Sequence, residues 1–344
     1  MRVVRIDNAR RLKIFHENVP AFRADEVLLD IKAVGVCGSD LHRFRGVTFD
    51  QEENKGLILG HEFSAIVEDT GKSVQNVQPG DRVAVEPAIH CGTCEWCIKG
   101  YYNLCENIKF CGVPPQDGAL REKMVWPAHL VYKLLPSLNF DDGVLLEPMA
   151  ICLYAVDLSP IKPGQTAAVL GAGPIGLGIV HLLKRTAGCR TVFATEKIPA
   201  RCDMAAQLGA DVIINASDEN AVDAIMDHTN GRGVDVVFEA AGESETFEQS
   251  IELCTLGGHV LFIGIPEDDR MPFSAASARR KGVTMRLVRR SLLTVPRCMQ
   301  LMDSGIIDVR SMVTHHFSLD HVQKAFKLVD HYQDGVVKAI IGPE

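Results

Sequence analysis

Three things are scarce in this chain: runs of positive charge, uninterrupted apolar stretches, and an apolar leader at its start. A formal charge of −8 with no long basic run leaves nothing to neutralise a phosphate backbone, which argues against nucleic acid or an anionic membrane as partner. The longest apolar stretch, Ala167 to Val180, holds four glycines and Pro174. It falls short of the ~18 apolar residues that a membrane span requires. Met1 to Asp7 is charged rather than apolar, so no secretory segment is expected and the cytoplasm is the expected compartment. A disulfide framework is not expected either. The eleven cysteines are an odd number and fit a reducing compartment, where clustered cysteines read as metal sites.

What is present is length and pattern. With about 100 to 200 residues per domain, 344 residues predict two domains, each able to bury a core. The first 150 residues read as β-rich, with short apolar or alternating runs at Leu12–Phe15, Val27–Ala33, Glu62–Glu68, Arg82–Val85 and Leu130–Leu134 between Gly, Pro and Asp turns. From 151 the pattern changes. Strands are predicted at Ala167–Leu170, Thr191–Thr195, Val212–Ile214, Asp235–Glu239, His259–Gly264 and Val283–Leu287, with helical segments between the first five. That alternation predicts a doubly wound parallel sheet, hence an α/β protein. Amphipathic helices near Thr294–Ser304 and Leu319–Asp330 and a strand at Lys338–Ile341 complete the chain.

Five stretches carry chemistry. Cys37, Ser39, Asp40 and His42 sit within six residues on a Gly-containing turn after a strand-like run. A thiolate there can hold a soft metal, and the hydroxyl and imidazole can move a proton. Taken alone, the plainer account is a buried free cysteine. His61 and Glu62 follow Gly60 at the start of a strand-like run; they form a plausible zinc pair, although such dipeptides usually lie on surfaces. Cys91, Cys94, Cys97 and Cys105 are spaced C-x2-C-x2-C-x7-C. Four thiolates can close a tetrahedral shell at Zn–S distances of about 2.3 Å with no open position, an iron–sulfur site or a redox pair being the rival accounts. Glu147 precedes Pro148, which biases it away from helix and can open the next helix, leaving the carboxylate as a ligand or merely a cap. Finally, Gly171-Ala172-Gly173-Pro174-Ile175-Gly176 follows a strand and opens a helix, Ile175–Thr186, with Glu196 closing the next strand. The glycines let the backbone approach a pyrophosphate, Glu196 suits a ribose 2′-hydroxyl and so NAD over NADP, and Lys197 and Arg201 weaken that preference slightly. Arg289 and Arg290, after the sixth strand, are either solvated or a charge for a substrate.

In this order the motifs resemble the zinc-containing medium-chain dehydrogenases over nearly the whole chain. Gly60-His61-Glu62 with Glu147-Pro148, the Phe110–Gly118 stretch and Val313–Phe317 look most like the sorbitol and polyol dehydrogenase branch. The resemblance implies a GroES-like catalytic domain (residues 1–150 and 289–344) around a Rossmann NAD-binding domain (151–288), assembled as a homodimer or homotetramer. It implies that Cys37, His61 and Glu62 hold a catalytic Zn²⁺, with Glu147 either a fourth ligand or bonded to its water. A second, structural Zn²⁺ would lie on the four-cysteine lobe, with Cys111 a bystander. Ser39 would take the substrate proton and His42 relay it, Asp40 would fix the His61 tautomer, and Phe110 would line the cleft. Gly171, Gly173, Pro174, Ile175, Gly176, Glu196 and Arg201 would bind NAD.

The implied reaction is oxidation of a secondary alcohol of a polyol, phosphorylated or not, to a ketone. An L-threonine or sugar-acid dehydrogenase is the alternative, and a non-catalytic nucleotide-binding relative a third. Two positions depart from the branch pattern: Ala65 replaces a glycine, and Arg43 a tyrosine. With Arg289, Arg43 would put positive charge at the pocket mouth, suiting an anionic substrate.

Overall fold

A computed structural model describes residues 1–46 and 54–342. They divide into two units: Met1–Glu147 with Val295–Asp303 and Val313–Glu344, and Pro148–Thr294 with Ser304–Met312. The returning chain therefore joins the first unit at Val295 rather than 289, and 304–312 goes back to the second unit. There His181 Nε2 accepts from the Asp308 amide at 3.1 Å while its Nδ1 lies 3.1 Å from the Leu208 carbonyl.

The first unit is built on a seven-stranded sheet. Its main path runs Val313–Ser318, Lys338–Gly342, Glu26–Gly35, Glu62–Thr70, Arg82–Val85, Val131–Lys133, and Lys123–Pro127 pairs separately with Glu26–Gly35. Val27, Leu29, Ile31 and Val34 of its central strand are buried with Phe63, Val67, Val83 and Trp126 in one core. Each large side chain taken from water there contributes about 1.5–3 kcal/mol. Ala65 lies inside the strand Glu62–Thr70, paired with Ile31 and Val83, where extended backbone tolerates its methyl.

Register is what gathers the chemistry. Gly35, at the end of one strand, pairs with Glu62 at the start of its antiparallel neighbour, and Ile340 pairs with Gly35 from the other side. Cys37 and His61, just beyond these strand ends, and Lys338, the first residue of its strand, are therefore brought to one edge of the sheet.

Two local expectations differ from what is seen. Cys37 opens no simple turn; it is the N-cap of a helix, Gly38–Arg45, whose Asp40 accepts the Cys37 amide at 3.2 Å, as a carboxylate at the third helical position does. Pro148 does not start a helix either, but lies inside the 19-residue helix Phe140–Leu158, so Glu147 is helical. Proline inside a helix costs about 3 kcal/mol. Burial of Val144, Leu145, Leu146, Met149 and Ala150 around it offsets that cost.

The second unit holds a six-stranded, all-parallel sheet in the order Val212–Asn215, Thr191–Glu196, Thr166–Leu170, Val234–Glu239, Cys254–Phe262, Thr284–Leu287. Its fifth strand begins earlier than the pattern suggested, and a short helix, Ala275–Lys281, precedes the sixth. Helices cover the sheet, so its central strands are almost wholly apolar, as sheets buried on both faces are. Between Thr166–Leu170 and Val234–Glu239 the strand order reverses, the place where such sheets take ligands. No helix among the described residues is long and apolar enough to cross a membrane.

Candidate active site and metal centres

At the sheet edge, Cys37 Sγ, a ring nitrogen of His61 and a carboxylate oxygen of Glu62 lie within 4.8 Å of one another, with His61 and Glu62 buried. Sulfur, nitrogen and oxygen donors in so small a volume suit a zinc-type ion. Asp40 backs the set: its Oδ1 is 3.4 Å from His61 Nδ1 and 3.2 Å from the Gly60 amide. That contact directs the other ring nitrogen forward, the usual support for a metal-ligating histidine. Burial pushes the Asp40 carboxyl up, but His61 and the amide donors hold it below the ordinary range. Burial pushes His61 down, yet Asp40 and the Cys37 sulfur hold it well above the usual imidazole range. These neighbours favour positive charge at this imidazole, a preference that a divalent ion on Cys37, His61 and Glu62 would meet.

Lys338, which the sequence reading missed, donates to Glu62 Oε2 at 2.6 Å, both side chains being 2 % exposed. Burial lowers the Lys338 pKa, and the Glu62, Cys37 and Glu147 charges more than reverse that. Space for this pair depends on Gly35, where a Cβ would stand 2.3 Å from Glu62 Oε2. The one signal in the sequence was a lysine opening an otherwise apolar strand, Lys338-Ala339-Ile340-Ile341.

The remaining expected residues divide. Ser39 Oγ donates to Cys37 Sγ at 3.4 Å, His42 is half-buried one turn along the same helix, and the Phe110 ring lies 5.1 Å from the His61 ring. Cys111 is fully buried, donates to the Gly60 carbonyl at 3.3 Å, and burial pushes its thiol up to about 12, so it stays a bystander. Glu147 is not one of the three clustered ligands, though its charge is among those that raise the Lys338 pKa. Arg43 does not stand at an open mouth. It is 8 % exposed, and its Nη1 donates to Asn54 Oδ1 at 2.8 Å. Arg289 is exposed and belongs to the second unit.

The lobe Cys91–Cys105 brings all four sulfurs within 4.8 Å of one another. Cys91 Sγ is 4.0 Å from Cys97 Sγ and 3.5 Å from Cys105 Sγ, close to the ~3.8 Å that Zn–S bonds of about 2.3 Å impose in a tetrahedron. Hydrogen bonds from the Thr93 and Cys94 amides hold Cys91 down to about 5, while burial and neighbouring thiols push Cys97 up to about 12. No disulfide competes, since all eleven cysteines are free.

In the second unit the Gly-rich turn is made by backbone fit. Gly171 has φ +91°, and a Cβ there would meet Ala241 at 2.9 Å; one on Gly176 would strike the Gly171 carbonyl at 1.8 Å. Gly173 caps the helix Pro174–Arg185, with Pro174 at its first position, and Ile175 lies in its first turn, where N–H groups face an anion. Glu196 Oε2 accepts the Ala172 amide at 3.0 Å, and its Oε1 accepts the Lys197 and Ile198 amides at 2.7 and 3.1 Å. Its carboxylate is thereby fixed at the end of the second strand. Arg201 is buried, its Nη1 3.9 Å from where a Cβ on Gly173 would be.

Comparison with known proteins identifies the family. Residues 23–137 match the alcohol dehydrogenase GroES-like domain and 174–304 the zinc-binding dehydrogenase family. Sorbitol dehydrogenase of Bacillus subtilis (strain 168) is 33 % identical over the whole chain and 97 % of its own length. L-idonate 5-dehydrogenase of Vitis vinifera is 33 % identical over 92 % of this chain and 88 % of its own. A zinc-binding dehydrogenase structure from Sinorhizobium meliloti 1021, bound to NADP, superposes with a TM-score of 0.90 at 31 % identity, covering 99 % of both chains. With its metal-capable clusters, dinucleotide turn and matches over its full length, the chain belongs to the zinc-containing medium-chain alcohol dehydrogenases, sorbitol-dehydrogenase-like branch: an oxidoreductase acting on CH–OH groups with zinc and NAD(P).

Proposed function

We propose that the protein oxidises a secondary alcohol of a polyol to a ketone with NAD⁺. The observation that carries this reading is the Cys37–His61–Glu62 set, with His61 and Glu62 buried and Cys37 half-buried, and Ser39 against the Cys37 sulfur. Zinc there supplies Lewis-acid polarisation of an alcohol oxygen, and a nicotinamide supplies the hydride acceptor. Ser39 receives the hydroxyl proton and His42 passes it outward. Asp40 keeps the His61 ring oriented, Lys338 balances the Glu62 charge, Glu147 orders water beside the site, and Phe110 keeps the substrate side apolar. The O–H proton leaves through Ser39, the C–H hydrogen leaves with its electron pair, and the carbonyl remains.

Glu196 supports NAD, because a carboxylate already fixed at the second strand's end repels a 2′-phosphate. Glu196→Ala is expected to relax cofactor choice toward NADP; unchanged discrimination in steady-state assays would remove that assignment. A sugar acid is the second substrate reading, supported by the L-idonate 5-dehydrogenase relative. Assembly as a homodimer or homotetramer is supported by the edge strand Thr284–Leu287, all four residues of which are exposed, Leu287 at 65 %.

The deciding experiment follows NADH absorbance with zinc-loaded protein on polyols, polyol phosphates, sugar acids and L-threonine. Preference for neutral polyols supports the first reading, and preference for a carboxylated substrate replaces it with the second.

A further inference from the structure

Glu239 ends the strand that lies across the strand-order reversal from the glycine turn, pairing with Leu170. It is 0 % exposed, and three donors converge on a single oxygen: Oε1 accepts the Ala241 amide at 2.9 Å, the Gly242 amide at 2.8 Å and the Thr246 hydroxyl at 2.7 Å. Among the described residues Oε2 has no partner in full hydrogen-bond geometry, although the Gly264 amide lies near enough to favour its charged form. It lies toward Gly264, where a Cβ would be 2.5 Å from Oε2 and 2.3 Å from the Gly242 nitrogen. The Glu239 carbonyl meanwhile accepts the Ile263 and Gly264 amides at 2.9 and 3.0 Å. One residue thus ties its own strand to the loop 240–243, to the first turn of the helix Ser244–Leu253 and to the end of the next strand.

That loop is the wall against which the dinucleotide turn closes. Ala241 packs on Gly171 so tightly that its Cβ would be 2.9 Å from one placed there, and Gly242, at φ +76°, has no room for a side chain beside the Ile265 carbonyl. Were Ala241 to drift, Gly171 would lose the surface that sets its left-handed backbone, and the N–H groups after it would lose their aim. The donors need an acceptor at Oε1 but not a negative charge. Burial pushes this carboxyl above the ordinary range despite the donors Thr246, Gly242, Ala241 and Gly264. A group of this kind serves by geometry.

We propose that Glu239 is a positioning residue for cofactor binding: through Oε1 it holds Ala241 and Gly242 against Gly171, and it does so as a hydrogen-bond acceptor rather than as a charge. The inference rests on the dinucleotide reading of that turn, and its test separates the two.

The full-length, zinc-containing protein is titrated with NADH by fluorescence, with zinc content, melting temperature and steady-state constants measured alongside. Glu239→Ala is expected to weaken NADH binding by about tenfold or more, and Thr246→Val, which removes one of three donors, by about threefold. Zinc content, the KM for alcohol and kcat at saturating NAD⁺ stay near wild type. Glu239→Gln, which keeps the acceptor, is expected to bind NADH within about twofold of wild type. A Gln variant as weak as the Ala variant overturns the acceptor argument. Unchanged NADH affinity in Thr246→Val overturns the positioning role even where Glu239→Ala fails to fold. Wild-type protein that binds no NADH would instead defeat the dinucleotide reading itself.

Discussion

The two metal-capable clusters of the first unit solve one problem in opposite ways. In the lobe, four like ligands lie between Cys91 and Cys105, three of them only half-buried, and local backbone N–H groups prepare the sulfurs. At the sheet edge, three unlike ligands come from two strand ends, the adjacent His61 and Glu62 and Cys37 24 residues earlier, and a buried lysine more than two hundred residues later completes the charge balance. A local cluster can be closed and structural; a cluster assembled by strand register can leave one face to a substrate while every other contact is fixed.

The largest effect that would sharpen this contrast is expected from Cys37→Ser. Turnover should fall by about a thousandfold or more, with one equivalent of zinc lost by metal analysis, the lobe's zinc retained and NADH still bound. Wild-type turnover in a metal-verified mutant would break the comparison at its centre.

Cys105→Ser should do the converse. We expect the lobe's zinc to be lost and the melting temperature to drop by about 5–10 °C, while the remaining folded protein keeps the edge site's zinc and measurable turnover. Loss of both metals together would show that the clusters are not separable.

Lys338→Met leaves Glu62 buried without its cation. In the chelator-treated protein this should cost about 3–5 kcal/mol, with zinc restoring more stability than it does in wild type, and Lys338→Arg recovering part of the loss. Scanning calorimetry with and without zinc checks it, and equal metal-free stability of the Met variant and wild type would mean that the ion pair contributes nothing.

The smallest effect concerns the second unit, which holds neither cluster. Burial lowers the His181 pKa from its ordinary value, and the neutral ring accepts from Asp308 and meets the Leu208 carbonyl. Since the folded-state pKa lies below the unfolded one, the stabilisation is complete above the unfolded value of about 6.5 and is lost as pH falls toward the folded value. His181→Gln should flatten the acid side of the melting-temperature profile without altering zinc content; an unchanged profile would exclude His181 as its source.

Some of this was readable in advance for definite reasons. The four cysteines announce themselves because ligands on a short loop must be close in sequence, and the Gly-rich turn because only glycine fits at Gly171 and Gly176. The parallel sheet followed from strand and helix alternation. Glu147 was misread, because a proline after it suggested a break, whereas burial on both sides outweighs one missing amide. Arg43 was read at the pocket mouth because it replaces a tyrosine and its charge would suit an anionic substrate, but it is buried, with Asn54 as a partner. Lys338 and Glu239 drew no chemical reading at all, since nothing beside either residue in the chain is its reactive partner.

Residue type and short-range spacing were thus enough to read the α/β class, the four-cysteine lobe and the dinucleotide turn, while the edge ligands became legible only through the resemblance of the whole motif order to a family. Tertiary structure alone supplied the pairing of Gly35 with Glu62 and with Ile340, and hence the meeting of Cys37, His61, Glu62 and Lys338. The physical reason is that strand register is a property of two or more segments at once: each strand's alternation marks which face is apolar, but only packing the strands together buries that face and determines which polar ends become neighbours.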